Sequence, residues 1–120
     1  MVDLTMATTK QLLKELEKRG GHPGAVASAV LLCVKKSEDY NHGKGEDPHF
    51  VDRSNYFPFG LASYAHMIHT KSQRFVTLVQ KQQSGKEVNF EGLRDTALDI
   101  INYAGFYIEA EDKGDFNESN

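Results

Sequence analysis

Four stretches of the chain carry apolar residues at every third or fourth position, which is the spacing of one face of an α-helix. Residues that cap or stop helices, mainly Thr, Asn and Gly, lie at several of their ends. The four predicted helices begin after a cap at Thr8 or Thr9, at Gly24 behind Pro23, at Phe59 and after a cap at Asn89, and end before Gly20, near Glu38, near Gln83 and near Glu111. No stretch indicates a strand. The pattern therefore predicts an all-α protein.

The second and third predicted helices are separated by residues 40–58, which have no sustained periodicity and contain two glycines and two prolines. An irregular connection of this length inside a domain is usually a lid, a binding loop or a disordered segment. Short connections place successive helices side by side, and one long crossover is tolerated. We therefore expect an antiparallel bundle of about four helices in a single domain (1–120), with a flexible N-terminus (1–7) and an acidic C-terminal tail (112–120).

Composition and charge narrow the classes of function. The chain has a formal net charge of −3 and a pI near 5.9, so it lacks the basic field that favours polynucleotide binding. It contains neither a signal-peptide pattern nor about 20 consecutive apolar residues, which predicts no membrane insertion and a cytoplasmic location, the host cytosol if the gene belongs to a phage. Cys33 is the single cysteine and reads as a small core residue. A bundle of this size often completes its core by pairing, so we expect a homodimer or a higher homo-oligomer.

The fourth predicted helix carries a polar stripe. Its members are spaced by four, four and three residues, which places them within about 100° of one another; they are Glu91, Asp95, Asp99 and Asn102. Such oxygen donors suit Mg²⁺, which keeps several waters for a phosphate to replace. The alternative is a solvated face, because the stripe lies opposite the predicted apolar face of this helix. The residues predicted to be buried on the helix are Leu93, Ala97, Ile100, Ile101, Ala104 and Ile108. No Lys or Arg follows at the spacing that would neutralise the charges, so we expect a cation or a partner's basic residue to do so.

The third predicted helix carries Lys71 and Arg74 at the edge of its apolar face. An arginine fork and a mobile lysine charge together suit a polyphosphate. The alternative is that both are snorkelling side chains whose stems cover the core. His66 and His69 lie on the same helix, but a pair at this spacing lacks the further ligands of a zinc site.

Two further groups flank the long loop. The second helix delivers Lys36, Glu38, Asp39 and Tyr40 to the mouth of the loop, where a ligand or only solvent could meet them. At the other end of the loop, the segment 56–60 contains three aromatic residues, which could stack a base or pin the loop onto the core. Pinning is the favoured interpretation.

Four motifs occur in one order along the chain: KKSEDY (35–40), YFPFG (56–60), KSQRF (71–75) and RDTALDIINYA (94–104). In this succession the chain resembles the nucleotide modification associated domain family, which is common in phages, over about residues 25 to 108. That family is similar to the all-α, MazG-like nucleoside triphosphate pyrophosphohydrolases. The resemblance implies handling of dNTPs or modified nucleotides, and the motif residues it implies are Asp39, Lys71, Arg74, Asp95, Asp99 and Asn102.

The leading hypothesis is therefore a Mg²⁺-dependent pyrophosphohydrolase-like protein. Its predicted residues fall into three groups, namely catalytic Asp39, Asp95 and Asp99; metal-binding Glu38, Glu91, Asp95 and Asp99; and substrate-binding Lys36, Tyr40, Lys71, Arg74 and Asn102. The alternative is a non-catalytic nucleotide-binding module, for instance a regulator or a phage protein that sequesters a signalling nucleotide. A third possibility is a purely structural or protein-binding bundle.

Overall fold

A computed structural model describes residues 6–40, 56–86 and 90–116, including their side chains except at 37–40 and 90–91. Four helices lie in these ranges: α1 (Thr9–Arg19), α2 (Gly21–Tyr40), α3 (Leu61–Gln83) and α4 (Phe90–Asp112). The described residues contain no strand, so the prediction of an all-α fold is confirmed. Contacts divide the chain into two compact units, Met1–Asp52 and Arg53–Asn120. The single domain stays a prediction, and most of the predicted loop, residues 41–55, lies outside the described ranges.

The helix α1 begins at the predicted cap. The side-chain oxygen of Thr8 accepts a hydrogen bond from the backbone N–H of Gln11 (3.1 Å), and the Gln11 side chain accepts one from the backbone N–H of Thr8 (2.8 Å). This reciprocal pair satisfies two of the donors that a helix start leaves open. The helix ends at Gly20, whose φ of 79° is accessible to glycine without steric cost.

The helices α1 and α2 form a hairpin joined by one residue, Gly20. Their surfaces approach closely, since a Cβ atom added at Gly24 would lie 3.0 Å from the Leu16 carbonyl oxygen. The Ser28 hydroxyl also donates a hydrogen bond to the Glu17 carboxylate (2.7 Å). The helix α2 begins three residues before the predicted start at Gly24. Pro23 is compatible with this start, because it lies in the first turn, where its missing N–H donor costs no hydrogen bond within the helix.

The helices α3 and α4 form the second hairpin. They run antiparallel, because Tyr64 near the start of α3 contacts Tyr107 near the end of α4, whereas Lys71 and Asp99 meet at mid-helix. The helix α3 begins two residues after the predicted start at Phe59. A turn precedes it, in which the Gly60 N–H donates to the Phe57 carbonyl oxygen. The predicted end of α3 at Gln83 is confirmed, whereas the predicted α4 cap, Asn89, lies outside the described residues.

The orientation of α4 differs from the prediction. Ile108 and Ala104, both expected in the core, are exposed, and 56% of Ile108 is accessible to solvent. Asn102 is buried instead, and Ala110 and Phe106 pack against the aromatic residues of α3 and the turn before it. Asp99 and Tyr107 of α4 contact α3, and Tyr103 and Phe106 contact Phe57 in the turn before it. Ala104 and Ile108 lie outside this contact face, whereas Leu98 is buried. Half-buried Leu93, Ala97, Ile100 and Ile101 lie between these limits.

Aromatic side chains form the core at one end of the α3–α4 hairpin. Phe57, only 7% exposed, stacks on Tyr64 with ring centroids 4.0 Å apart. We call the following residues the aromatic cluster: Phe57, Tyr64, Tyr103, Phe106, Tyr107 and Phe116. The prediction that aromatic residues before α3 pin this segment onto the core is confirmed for Phe57, whereas Tyr56 and Phe59 are exposed to solvent.

The residues after α4 continue the fold as far as Phe116. Gly114 reverses the chain with a φ of 79°, and the Asp115 N–H donates to the Ala110 carbonyl oxygen (3.0 Å). This closure brings the Phe116 ring into a stack with Tyr107. The residues 113–116 therefore pack against the aromatic end of the hairpin. Among the described residues, no helix has the length and apolar character that crossing a membrane would require.

Candidate functional site

An ion pair links the two charged groups that the sequence singles out on the second hairpin. The Lys71 ammonium on α3 lies 3.1 Å from a carboxylate oxygen of Asp99 on α4. Only 23% of the Lys71 side chain and 18% of the Asp99 side chain are exposed. The antiparallel register of α3 and α4 creates this contact, because both residues lie near the middle of their helices.

A second pair of opposite charges lies one helical turn away. Arg74 follows Lys71 by three residues on α3, and Asp95 precedes Asp99 by four residues on α4. Residues at these spacings share a helix face, and the helices are antiparallel, so Arg74 and Asp95 lie at a common level across the hairpin. Both are exposed, and in the described part of the chain neither forms an ion pair. The level of Lys71 and Asp99 is thus occupied by an ion pair, whereas the side chains at the level of Arg74 and Asp95 are open to solvent.

Asn102 extends the same face of α4 by almost one turn beyond Asp99 and is 9% exposed. Thr96 is also buried, and its hydroxyl donates to the Gly92 carbonyl oxygen (2.6 Å) within α4. The spacing of Asp95, Asp99 and Asn102 places them on one face of α4. Because Asn102 is buried, it meets little solvent.

The remaining predicted residues lie elsewhere. Lys36 is exposed on α2, and the backbone of Glu38, Asp39 and Tyr40 forms the last turn of that helix, but the side chains of these three lie outside the described residues. All four belong to the unit Met1–Asp52. Their contribution to the site stays a prediction. The backbone of Glu91 lies in the first turn of α4, and its side chain is likewise outside the description.

The donor set can be compared with the needs of a metal ion. Among the side chains that the structure describes, no group of three or more His, Cys, Asp or Glu residues is placed to hold one. Asp95 and Asp99 supply two carboxylates one turn apart, and Mg²⁺ is often bound through one or two carboxylates together with substrate phosphates. The pair therefore fits a cation that arrives with a phosphate. His66 and His69 are both exposed on α3.

The structure shows how one member of the acidic stripe, Asp99, is balanced, and the expected cation or partner residue stays a prediction. The sequence predicts a bound cation or a basic residue from a partner, because no Lys or Arg follows the stripe within α4. In the structure, Lys71 of the same chain neutralises Asp99. The spacing along α4 could not indicate this contact, since it depends on the register between two helices.

Tyr107, which lies outside this site, has a shifted pKa. The Tyr107 hydroxyl donates a hydrogen bond to the Glu111 carboxylate, one turn later on α4. This hydrogen bond, and then the negative charge of Glu111, raises the pKa of Tyr107 above its ordinary value of 10.0, with a further contribution from burial. The sequence contains a signal for this pair, because a Tyr and a Glu four residues apart on a helix are neighbours. The pair is not among the contacts predicted from the sequence. It lies at the aromatic end of the hairpin rather than at the charged level.

The chain matches no protein-family model, no curated protein and no solved structure. The resemblance of its four motifs to the nucleotide modification associated domain family stays a prediction.

Proposed function

We propose that the chain binds a nucleoside triphosphate through its phosphates and, with Mg²⁺, hydrolyses it to a monophosphate and pyrophosphate. The contact between Lys71 and Asp99 supports this proposal most directly. It brings the basic residues of α3 and the acidic stripe of α4 to one side of one hairpin. A phosphate chain with its cation needs both kinds of charge within a few ångströms.

The proposed roles follow from the chemistry of the side chains. Arg74 binds two phosphate oxygens with its planar fork, and Lys71 offsets the charge that develops on the leaving pyrophosphate. Asp95 and Asp99 would offer oxygen ligands to Mg²⁺, which would supply positive charge to balance the phosphates. The oxygen of a water bonds to the α-phosphorus, the bond from that phosphorus to the bridging oxygen breaks, the proton of the attacking water passes to solvent, and pyrophosphate leaves. In this scheme Asp39 is a further catalytic candidate through the motif resemblance alone.

A non-catalytic nucleotide-binding module is the second candidate. It is favoured by the same ion pair, because Lys71 already balances the charge of Asp99 without a metal ion. A module of this kind would hold phosphate through Arg74 and Lys71 and would not need to orient a water. Metal dependence discriminates the two candidates, since binding that EDTA leaves unchanged favours the module.

Homodimer formation is a further part of the proposal. Large apolar side chains remain exposed on both helices of the second hairpin, and they include Leu61, Val76 and Ile108. Apolar surface of this kind is commonly covered in an oligomer. Size-exclusion chromatography with light scattering gives the test, and a mass of one chain at micromolar concentration would exclude the dimer.

The function is tested by incubating the protein with each canonical and modified dNTP in the presence of Mg²⁺ and measuring monophosphate. The hydrolase is supported if the wild type turns over a nucleotide, Arg74→Ala abolishes that turnover and the Arg94→Ala variant keeps it. Arg94 is the matched control because it is an exposed arginine outside the polar stripe of α4. Binding without turnover supports the module instead.

Binding is measured in parallel by thermal shift. A ligand that binds only the folded state, at about 100 times its Kd, adds about 2.7 kcal/mol of apparent stability. If no nucleotide produces a thermal shift or turnover, both candidates are refuted and the structural bundle remains.

A further inference from the structure

The ion pair that supports the proposed function also opposes the binding of either ligand alone. A phosphate that recruits Lys71 must separate it from Asp99, and a cation that recruits Asp99 must separate it from Lys71. Both side chains are mostly shielded from solvent. Whichever one is left behind therefore loses this ion-pair contact at a place where water replaces it poorly.

Arg74 and Asp95 provide the contrast within the same site. They are exposed and form no ion pair in the described part of the chain, so a ligand meets them without breaking a contact. The site thus combines one level that is ready to bind with one level that is closed. A ligand that engages only the open level gains less than one that engages both.

We propose that the Lys71–Asp99 ion pair is a latch that makes anion and cation bind together. The proposal rests on the proposed function and adds how the site is regulated. A polyphosphate takes Lys71, a divalent cation takes Asp99, and only the combination leaves both charges compensated. Each ligand consequently raises the affinity for the other, and this coupling is reciprocal. Free polyphosphate without a cation, and free cation without polyphosphate, bind weakly.

The coupling has an expected size. Exposed ion pairs contribute up to about 1 kcal/mol, and a pair shielded as this one is lies toward that limit. This corresponds to about a fivefold reduction in affinity for a ligand that must open the pair by itself. Removing one partner should recover that factor for the ligand of the other partner.

The anion arm of the test uses pyrophosphate in EDTA, measured by isothermal titration calorimetry. Asp99→Asn releases Lys71 and should strengthen pyrophosphate binding about fivefold or more. Asp95→Asn is the matched control, because it removes the same charge one turn away but breaks no ion pair. It should strengthen binding by less than about twofold, the effect of the charge alone.

The cation arm uses Mg²⁺ without any phosphate. Lys71→Met removes the ion pair to Asp99 and should strengthen Mg²⁺ binding about fivefold, whereas Arg74→Met, the matched control, should have a smaller effect. In the wild type, Mg²⁺ should tighten pyrophosphate binding, and Asp99→Asn should remove that gain. Far-UV circular dichroism and thermal melts of each variant show that the helices are retained.

The outcomes separate the latch from the function on which it rests. If the wild type binds magnesium pyrophosphate, but Asp99→Asn and Asp95→Asn change metal-free binding equally, the latch is wrong and the proposed function stands. If the wild type binds neither pyrophosphate nor any dNTP with Mg²⁺, the proposed function fails and the latch with it. A selective gain in both arms supports the latch.

Discussion

Replacing Phe57 by alanine tests whether the aromatic cluster stabilises the α3–α4 hairpin. The Phe57 ring is 7% exposed, stacks on Tyr64, and meets Tyr103 and Phe106 edge to face at centroid distances of 6.1 Å. It lies before α3 in the chain, so it ties the preceding segment to both helices. Its removal leaves three rings without a common neighbour.

The magnitude follows from burial and from ring contacts. Truncation of a buried Phe to Ala costs about 3 to 5 kcal/mol, which includes the cavity left behind. The cluster lies at one end of the hairpin, so partial collapse of the site should bring the loss to the lower end of this range. We expect Phe57→Ala to lower the free energy of unfolding of the second unit by about 3 kcal/mol.

Tyrosine signals give a local assay. The chain has five tyrosines and no tryptophan, and Tyr64, Tyr103 and Tyr107 lie in the aromatic cluster. Urea unfolding followed by near-UV circular dichroism therefore reports mainly on this region. Phe59→Ala is the matched control, because Phe59 is 79% exposed two residues further on, and its truncation should cost less than about 0.5 kcal/mol. Equal losses for the two variants would refute the assignment of Phe57 as the anchor.

Three further predictions concern single contacts. A double-mutant cycle with Lys71→Met and Asp99→Asn should give a coupling energy of about 0.5 to 1 kcal/mol in urea unfolding. A coupling energy of zero would show that the ion pair does not stabilise the hairpin. The raised pKa of Tyr107 means that the folded state holds this proton more tightly than the unfolded state, so the contribution is present below pH ~10 and is lost as the pH rises through the folded-state pKa. Spectrophotometric titration of tyrosinate should show Glu111→Gln moving this group back toward pH ~10, and an unchanged curve would contradict the hydrogen bond. Gly105→Ala should raise the melting temperature, since an added Cβ meets no atom within 4 Å and alanine favours a helix interior by about 1 kcal/mol; a lower melting temperature would indicate that this face is covered.

Local chemistry explains why the helix ends were predictable. The Thr8 cap and the stop at Gly20 depend on side chains and dihedral angles within a few residues, and both occur as expected. Gly85 likewise has a positive φ just after α3. The two shifted starts, at Gly21 and Leu61, also have local causes, but these involve backbone turns that many sequences can form.

The rotation of α4 could not be predicted in the same way. Its sequence offers two candidate faces, an aliphatic one that includes Ile108 and a mixed one that includes Asn102 and Phe106. Periodicity alone favours the aliphatic face as the buried one. The choice was decided by rings outside α4, since Phe57 and Tyr64 present a surface that accepts aromatic neighbours. Information about that surface is spread over distant parts of the chain.

The candidate site combines both cases. The spacing of Asp95 and Asp99 on α4, and of Lys71 and Arg74 on α3, places each pair on one face, and this depends only on helix geometry. Which charge meets which depends on the register between α3 and α4, and that register brings Lys71 to Asp99 while leaving Arg74 and Asp95 apart. The like charges of the stripe are therefore relieved at one position and not at the other. At the exposed level, Arg74 and Asp95 carry opposite charges and form no ion pair in the described part of the chain. Under the proposed function, a ligand that carries both signs of charge, a phosphate with its cation, is the one that this hairpin compensates at both levels.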